Sequence, residues 1–106
     1  TRSFCYVEDI VRALILLMES DLMPTTPINL GNPEERTIHN AANFIIEKCK
    51  SASVIEFHDL PSDDPLQRKP DISTAMSKLS WTPEVSFEDG LDKTIAYFID
   101  YYGRTI

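Results

Sequence analysis

The sequence DDPLQRKPDI occupies residues 63–72 and separates an apolar, strand-like run from a helix-like run. Its two prolines fix φ and lack backbone N–H donors, so this segment cannot continue a helix. Each proline also favours an extended conformation at the residue before it. We therefore predict an extended connector that carries Arg68 and Lys69 on opposite sides and ends at Asp71, a predicted helix cap.

An arginine on the inner side of such a connector needs an anionic partner, because burying an unpaired charge is costly. Asp63 or Asp64 is one candidate partner for Arg68, and a ligand phosphate is the alternative. The spacing alone leaves both partners open, since adjacent aspartates are also typical of a solvated turn.

Composition limits the class of protein. The 106 residues are enough for one small domain, and a net charge of -7 argues against a nucleic-acid-binding surface. The longest aliphatic run, Ala13–Met18, is too short to span a bilayer. Cys5 and Cys49 form neither a disulfide framework nor a metal site.

Hydrophobic periodicity predicts a helix-rich α/β fold with about four helices and three short strands. Thr37 and Ser86 are expected to cap the starts of two helices, and Gly103 is expected to end the last one as its C′ residue. Val11, Ile15 and their neighbours predict a first helix that is apolar on more than one side. The predicted strands are Ser3–Val7, Ile28–Leu30 and Val54–His58, and the helices follow Glu8-Asp9, Thr37, Asp71 and Ser86.

Catalytic signals are few. His39 and His58 fit solvent-facing or hydrogen-bonded histidines, and no potential ligands have a metal-binding spacing. The three glycines, Gly31, Gly90 and Gly103, do not form a phosphate-cradling loop. These residues alone do not reveal a function.

Four motifs considered together are more informative: TRSFCYVED (residues 1–9), PINLGNP (27–33), DDPLQRKPDI (63–72) and LSWTP (79–83). In this order they resemble the C-terminal third of extended short-chain dehydrogenase/reductases that act on nucleotide sugars. Within that family the series is most similar to the UDP-glucuronate decarboxylases, or UDP-xylose synthases. Two positions depart from the pattern, since Ser80 replaces a usual glycine and Cys5 a common glutamine.

The resemblance implies that residues 1–106 are a single nucleotide-sugar-binding lobe of a larger, homodimeric enzyme. It also implies that the Rossmann half, the NAD site and the Y-x-x-x-K pair lie upstream, so this chain would hold neither cofactor nor metal. The implied partners are a UDP-sugar and that Rossmann half. Relatives of this kind occur in the cytosol and in the Golgi lumen, which leaves the compartment open.

Three site residues are carried over by the resemblance. Arg2 matches an arginine in the substrate site that is thought to assist protonation after carbon dioxide leaves, and Arg68 matches one near the diphosphate. Guanidinium groups suit such roles because they stay charged and bind phosphate in a bidentate manner. Tyr6 either lines the site or is a core tyrosine with a bonded hydroxyl. We interpret Trp81, Phe87, Tyr97 and Phe98 as packing residues.

Two alternatives stay open at this point. The lobe could belong to an epimerase or a 4,6-dehydratase, which the same superfamily pattern allows. The chain could also be a small non-enzymatic interaction domain. A Rossmann fingerprint and a Y-x-x-x-K pair upstream would discriminate an enzyme from the latter.

We predict that the isolated chain neither binds NAD tightly nor decarboxylates UDP-glucuronate, because it has no glycine-rich loop at a strand–helix junction. The assay is carbon dioxide release from UDP-glucuronate with added NAD+. Sustained turnover by the purified chain would contradict the prediction.

Overall fold

The computed structural model describes residues 1–21, 27–59 and 68–103. Within these ranges the chain forms four helices and one small antiparallel sheet, so the helix-rich prediction is confirmed. In the sheet, Arg2 lies opposite Arg36 and Ser3 lies opposite Glu35. The elements are β1 (Arg2–Ser3), α1 (Val7–Glu19), β2 (Glu35–Arg36), α2 (Ile38–Cys49), α3 (Ser73–Leu79) and α4 (Phe87–Tyr102).

Of the four predicted helix starts, those of α2 and α4 agree with the structure and those of α1 and α3 are shifted. The side chain of Thr37 accepts the Asn40 N–H, and that of Ser86 accepts the Asp89 N–H, which confirms both caps. Asp71 is not the N-cap of α3, because Ile72 occupies that position. Its carboxylate nevertheless accepts the Ser73 N–H at 3.0 Å. Asp71, which directly precedes the N-cap, therefore bonds one of the N–H groups at the start of α3 that have no partner within the helix.

The helix ends show where glycine was and was not needed. Ser80 ends α3 in the left-handed region, with φ of 52°, where glycine is normally favoured. The Gly103 prediction is wrong, because that residue ends α4 with a right-handed φ of -64°. Its place at the end of α4 therefore does not depend on the conformations that only glycine reaches easily.

The three predicted strands are not found as predicted. Only Ser3 of the run Ser3–Val7 is in a strand, and α1 already begins at Val7. Ile28–Leu30 and Val54–His58 are described but form no strand. A strand exists only when another segment completes its hydrogen-bond ladder, and the ladder seen here joins β1 to β2.

The core lies between α1, α3 and the residues that follow α3. Trp81 is fully buried there, as its packing role predicted, and Ala13 contacts it from α1. Ile28 and Leu30 pack against this core without being in a strand. The cluster consists of Ala13, Ile72, Ala75, Leu79 and Trp81.

One buried aspartate joins the start of α1 to residues 81–85. Asp9 is 3% exposed, and its side chain accepts the N–H groups of Glu84 at 3.2 Å and Val85 at 3.0 Å. Its main-chain carbonyl accepts the indole N–H of Trp81 at 3.0 Å. Arg12 adds a charged contact to Asp9 at 3.4 Å and donates to the Thr82 carbonyl at 2.6 Å. The start of α1 is thereby fixed to the loop that precedes α4.

A second side of α1 faces outward and is apolar. Its residues recur at helical spacing, and Met18 is 82% exposed. On α4, Tyr97 and Phe98 are not core residues, since they are 62% and 49% exposed, but their rings pack against each other with centres 5.2 Å apart. The outward stripe of α1 consists of Val7, Val11, Leu14, Ile15 and Met18.

None of the helices in the described ranges is long and apolar enough to cross a membrane.

We predict that Asp9→Ala lowers the free energy of unfolding by about 2–4 kcal/mol, because the part-buried N–H groups of Glu84 and Val85 lose their acceptor and Arg12 loses one of its partners. Glu8→Ala is the control, since Glu8 is an exposed acid in the same turn. Urea unfolding can be followed by the fluorescence of the single tryptophan. Equal midpoints for both variants would show that the Asp9 contacts contribute little.

We also predict that the isolated chain self-associates through the outward stripe of α1, because contiguous exposed apolar surface favours association. Ile15→Glu should reduce the average mass measured by light scattering. Val54→Glu is the control, since Val54 is 88% exposed and lies outside the stripe. A strictly monomeric wild-type chain would contradict the prediction.

Candidate functional site

The two arginines implicated by sequence line one cavity of about 530 Å³. Its walls come from β1, from the segment that ends at Gly31, and from residues 68–71 at the end of the predicted connector. We call it the arginine cavity. The described residues that line it are Arg2, Ser3, Cys5, Ile10, Asn29, Leu30, Gly31, Arg68, Lys69, Pro70 and Asp71.

The arginine cavity has a cationic excess. Arg2, Arg68 and Lys69 contribute positive charges, and Asp71 is the carboxylate among its described lining residues. The Ser73 backbone N–H, and then the Ser73 hydroxyl, lower the pKa of Asp71, so that carboxylate is charged at neutral pH. A site with this balance of charge favours an anion that carries more than one negative group.

The connector prediction needs one correction. Arg68 and Lys69 do not divide into an inner and an outer side chain, since both residues are exposed and both line the arginine cavity. The alternation rule fails here because it requires a regular strand, whereas these residues belong to no strand. Asp63 and Asp64, the predicted partners of Arg68, lie outside the described residues.

The position of Arg2 is set by its place in β1, opposite Arg36 of β2. The charge of Arg36 is balanced by two glutamates. Arg36 is opposite Arg2, and like charges in that position repel each other. Arg36 pairs with Glu34 at 2.8 Å and with Glu88. Its guanidinium carbon also lies 4.3 Å from the centre of the Phe87 ring. The Glu88 and Phe87 contacts hold the Arg36 side chain against α4. Arg2 instead lines the arginine cavity, and its Nη1 donates to the Thr1 carbonyl at 2.7 Å.

Tyr6 lies elsewhere. It lines a larger cavity of about 640 Å³ between residues 4–8 and the start of α4. A Cβ at Gly90 would come within 3.1 Å of the Tyr6 Cβ, so glycine permits this close packing. The Lys93 ammonium lies 5.5 Å from the centre of the Tyr6 ring. The structure therefore brings Arg2 and Arg68 together and separates Tyr6 from them.

Cys5 lines both cavities. Burial, and then the negative charge of Asp9, raise the pKa of its thiol, so the thiol is protonated at neutral pH. It is not an activated nucleophile, because nucleophilic cysteines need a lowered pKa. No group of three potential ligands suitable for a metal ion occurs among the residues that the structure describes.

Sequence reasoning missed the structural role of three residues. It interpreted Asp9 only as an acid at a helix start, although Asp9 holds the loop before α4. It also missed Lys69 and Asp71 as neighbours of Arg68 in the cavity. The available signal was the pair of motifs YVED and LSWTP, but their 72-residue separation between Asp9 and Trp81 conceals the contact.

The amino-acid sequence of this chain is similar to those of several curated proteins. The chain is 48% identical over 98 residues, or 92% of its length, to UDP-glucuronic acid decarboxylase 1 of Danio rerio. It is 48% identical over 91 residues to UDP-glucuronic acid decarboxylase 6 of Arabidopsis thaliana. The chain corresponds to one part of the UDP-glucuronic acid decarboxylases. No family model matches it.

The match is to a portion of each relative. The chain spans 23% of the length of the zebrafish protein and 26% of the Arabidopsis protein. The chain is also 44% identical over 98 residues to UDP-glucuronic acid decarboxylase 1 of Arabidopsis thaliana, and this match covers 22% of that protein's length. These relatives confirm the resemblance to decarboxylases and do not favour the epimerase, dehydratase or interaction-domain alternatives.

Proposed function

We propose that this chain is the substrate-binding part of an NAD-dependent UDP-glucuronate decarboxylase that forms UDP-xylose and carbon dioxide. The arginine cavity is the observation that carries the proposal. It places Arg2 and Arg68 on a single site with Lys69 beside them, as a ligand with a diphosphate and a carboxylate requires.

Arg68 binds the diphosphate in this proposal. It is exposed at the cavity edge, and its guanidinium can donate two parallel hydrogen bonds to a phosphate. Lys69 adds a second positive charge on the same segment. Asp71 lies on the other side of Pro70, and its negative charge opposes anions that approach that end of the cavity.

Arg2 acts nearer to the reacting sugar. It is half-buried on β1, and its backbone is fixed by pairing with β2. A guanidinium held in this way stabilises negative charge that develops as the carboxylate leaves, and it assists the protonation that follows. Such an interaction strengthens in the transition state and therefore acts on turnover more than on binding.

The described residues do not fit an NAD site. Gly31 contacts Pro70, Gly90 contacts Tyr6, and Gly103 ends α4, so none of the three opens a helix beside a strand in the way a pyrophosphate cradle requires. NAD is bound by a part of the enzyme outside this chain in our proposal. That part is a Rossmann half, and it covers the outward apolar stripe of α1.

We predict that Arg68→Ala in the intact enzyme weakens UDP-sugar binding by about 1.5–3 kcal/mol, because a charged hydrogen bond is lost. Arg2→Ala should instead lower kcat more than it weakens binding. KM, kcat and the Kd for UDP distinguish the two effects. Lys78→Ala is the control, since Lys78 is an exposed cation that does not line the cavity.

Product analysis tests the reaction itself. The intact enzyme should convert UDP-glucuronate into a product that is lighter by one carbon dioxide. A product isomeric with the substrate would favour an epimerase. Unchanged KM and kcat in both Arg2→Ala and Arg68→Ala would show that the arginine cavity is not the substrate site.

A further inference from the structure

Two contacts hold the segment that carries Arg68 against the rest of the arginine cavity. The hydroxyl of Ser3 donates a hydrogen bond to the main-chain carbonyl of Arg68 at 3.3 Å. Gly31 is buried against Pro70, and a Cβ added to it would lie 3.0 Å from the Pro70 Cγ. One contact therefore precedes and the other follows Lys69 in the segment.

Both contacts start from fixed positions. Ser3 belongs to β1, and its backbone is held opposite Glu35 by the sheet. Gly31 directly follows Leu30, which packs against the core. The segment at 68–70 belongs to no helix or strand of its own, so these neighbours supply its position.

We propose that Ser3 and Gly31 are positioning residues that set the place of the Arg68 guanidinium relative to Arg2. This inference rests on the proposed function, and it concerns residues to which the resemblance gives no role. Ser3 acts through the Arg68 backbone, which leaves the guanidinium available for a phosphate. Gly31 acts by leaving room for the Pro70 ring, since a Cβ there would lie 3.0 Å from the Pro70 Cγ and the ring would have to shift.

The effect should be seen in substrate binding more than in folding. The Ser3 bond is exposed, and an exposed hydrogen bond to a carbonyl contributes little to the stability of a whole domain. A displaced guanidinium, in contrast, loses the alignment that bidentate phosphate binding needs. A purely structural role would leave KM unchanged once the variant is folded.

The test uses the intact enzyme and its KM for UDP-glucuronate. Ser3→Ala should raise KM about 3- to 10-fold, with kcat changed by less than about 2-fold, which corresponds to the loss of one ordinary hydrogen bond. Ser3→Thr keeps a hydroxyl and should restore most of the lost affinity. Gly31→Ala should raise KM in the same direction.

Ser77→Ala is a closely matched control. Its hydroxyl also donates to a main-chain carbonyl at 3.3 Å, that of Thr74, and is also exposed. It lies on α3 and does not line the arginine cavity. This variant should leave KM unchanged, and its Tm should match that of Ser3→Ala.

The double variant Ser3→Ala/Arg68→Ala tests whether Ser3 acts through Arg68. Its KM should equal that of Arg68→Ala alone, because the effects of residues that act through one group do not add. Full multiplication of the two effects would overturn the inference. So would an unchanged KM in Ser3→Ala when Arg68→Ala raises it, and in that case the proposed function would stand. An unchanged KM in Arg68→Ala would overturn both.

Discussion

The buried carboxylate of Asp9 is the constraint on which the rest of the structure depends. It accepts two backbone N–H groups from the loop before α4 and pairs with Arg12, while its own carbonyl binds the Trp81 indole. A buried charge is tolerated only when its hydrogen-bonding capacity is used in this way. This one residue therefore fixes the relation between the start of α1 and the start of α4, although they are far apart in sequence.

The position of the arginine cavity follows from that arrangement. Asp9 and Trp81 bring α1 against α3, and α3 begins directly after the segment that carries Arg68. The other side of the cavity is β1, which is joined to β2 and through Arg36 to α4. Arg68 and Lys69 are exposed at the cavity and Arg2 is half-buried, whereas Asp9 and Trp81, which hold α1 near α3, are buried.

Local patterns predicted the helices well and the strands poorly, for a physical reason. A helix satisfies its hydrogen bonds within one segment, so the caps at Thr37 and Ser86 and the periodic apolar residues were sufficient evidence. A strand needs a second segment. Val54–His58 has suitable residues but no ladder, whereas Glu35–Arg36, which has no strand-like pattern, pairs with β1.

The sequence by itself determined the helix-rich class, the cationic nature of Arg2 and Arg68, and the motif order that the comparisons confirmed as decarboxylase-like. Only the tertiary structure decided that Arg2, Arg68, Lys69 and Asp71 share one cavity and that Tyr6 belongs to another. The type of a residue, and therefore its charge and hydrogen-bonding groups, can be read directly from the sequence. Proximity depends on contacts between residues that are distant in sequence, such as the bond from Ser3 to Arg68, and these form only when the packed core fixes both segments.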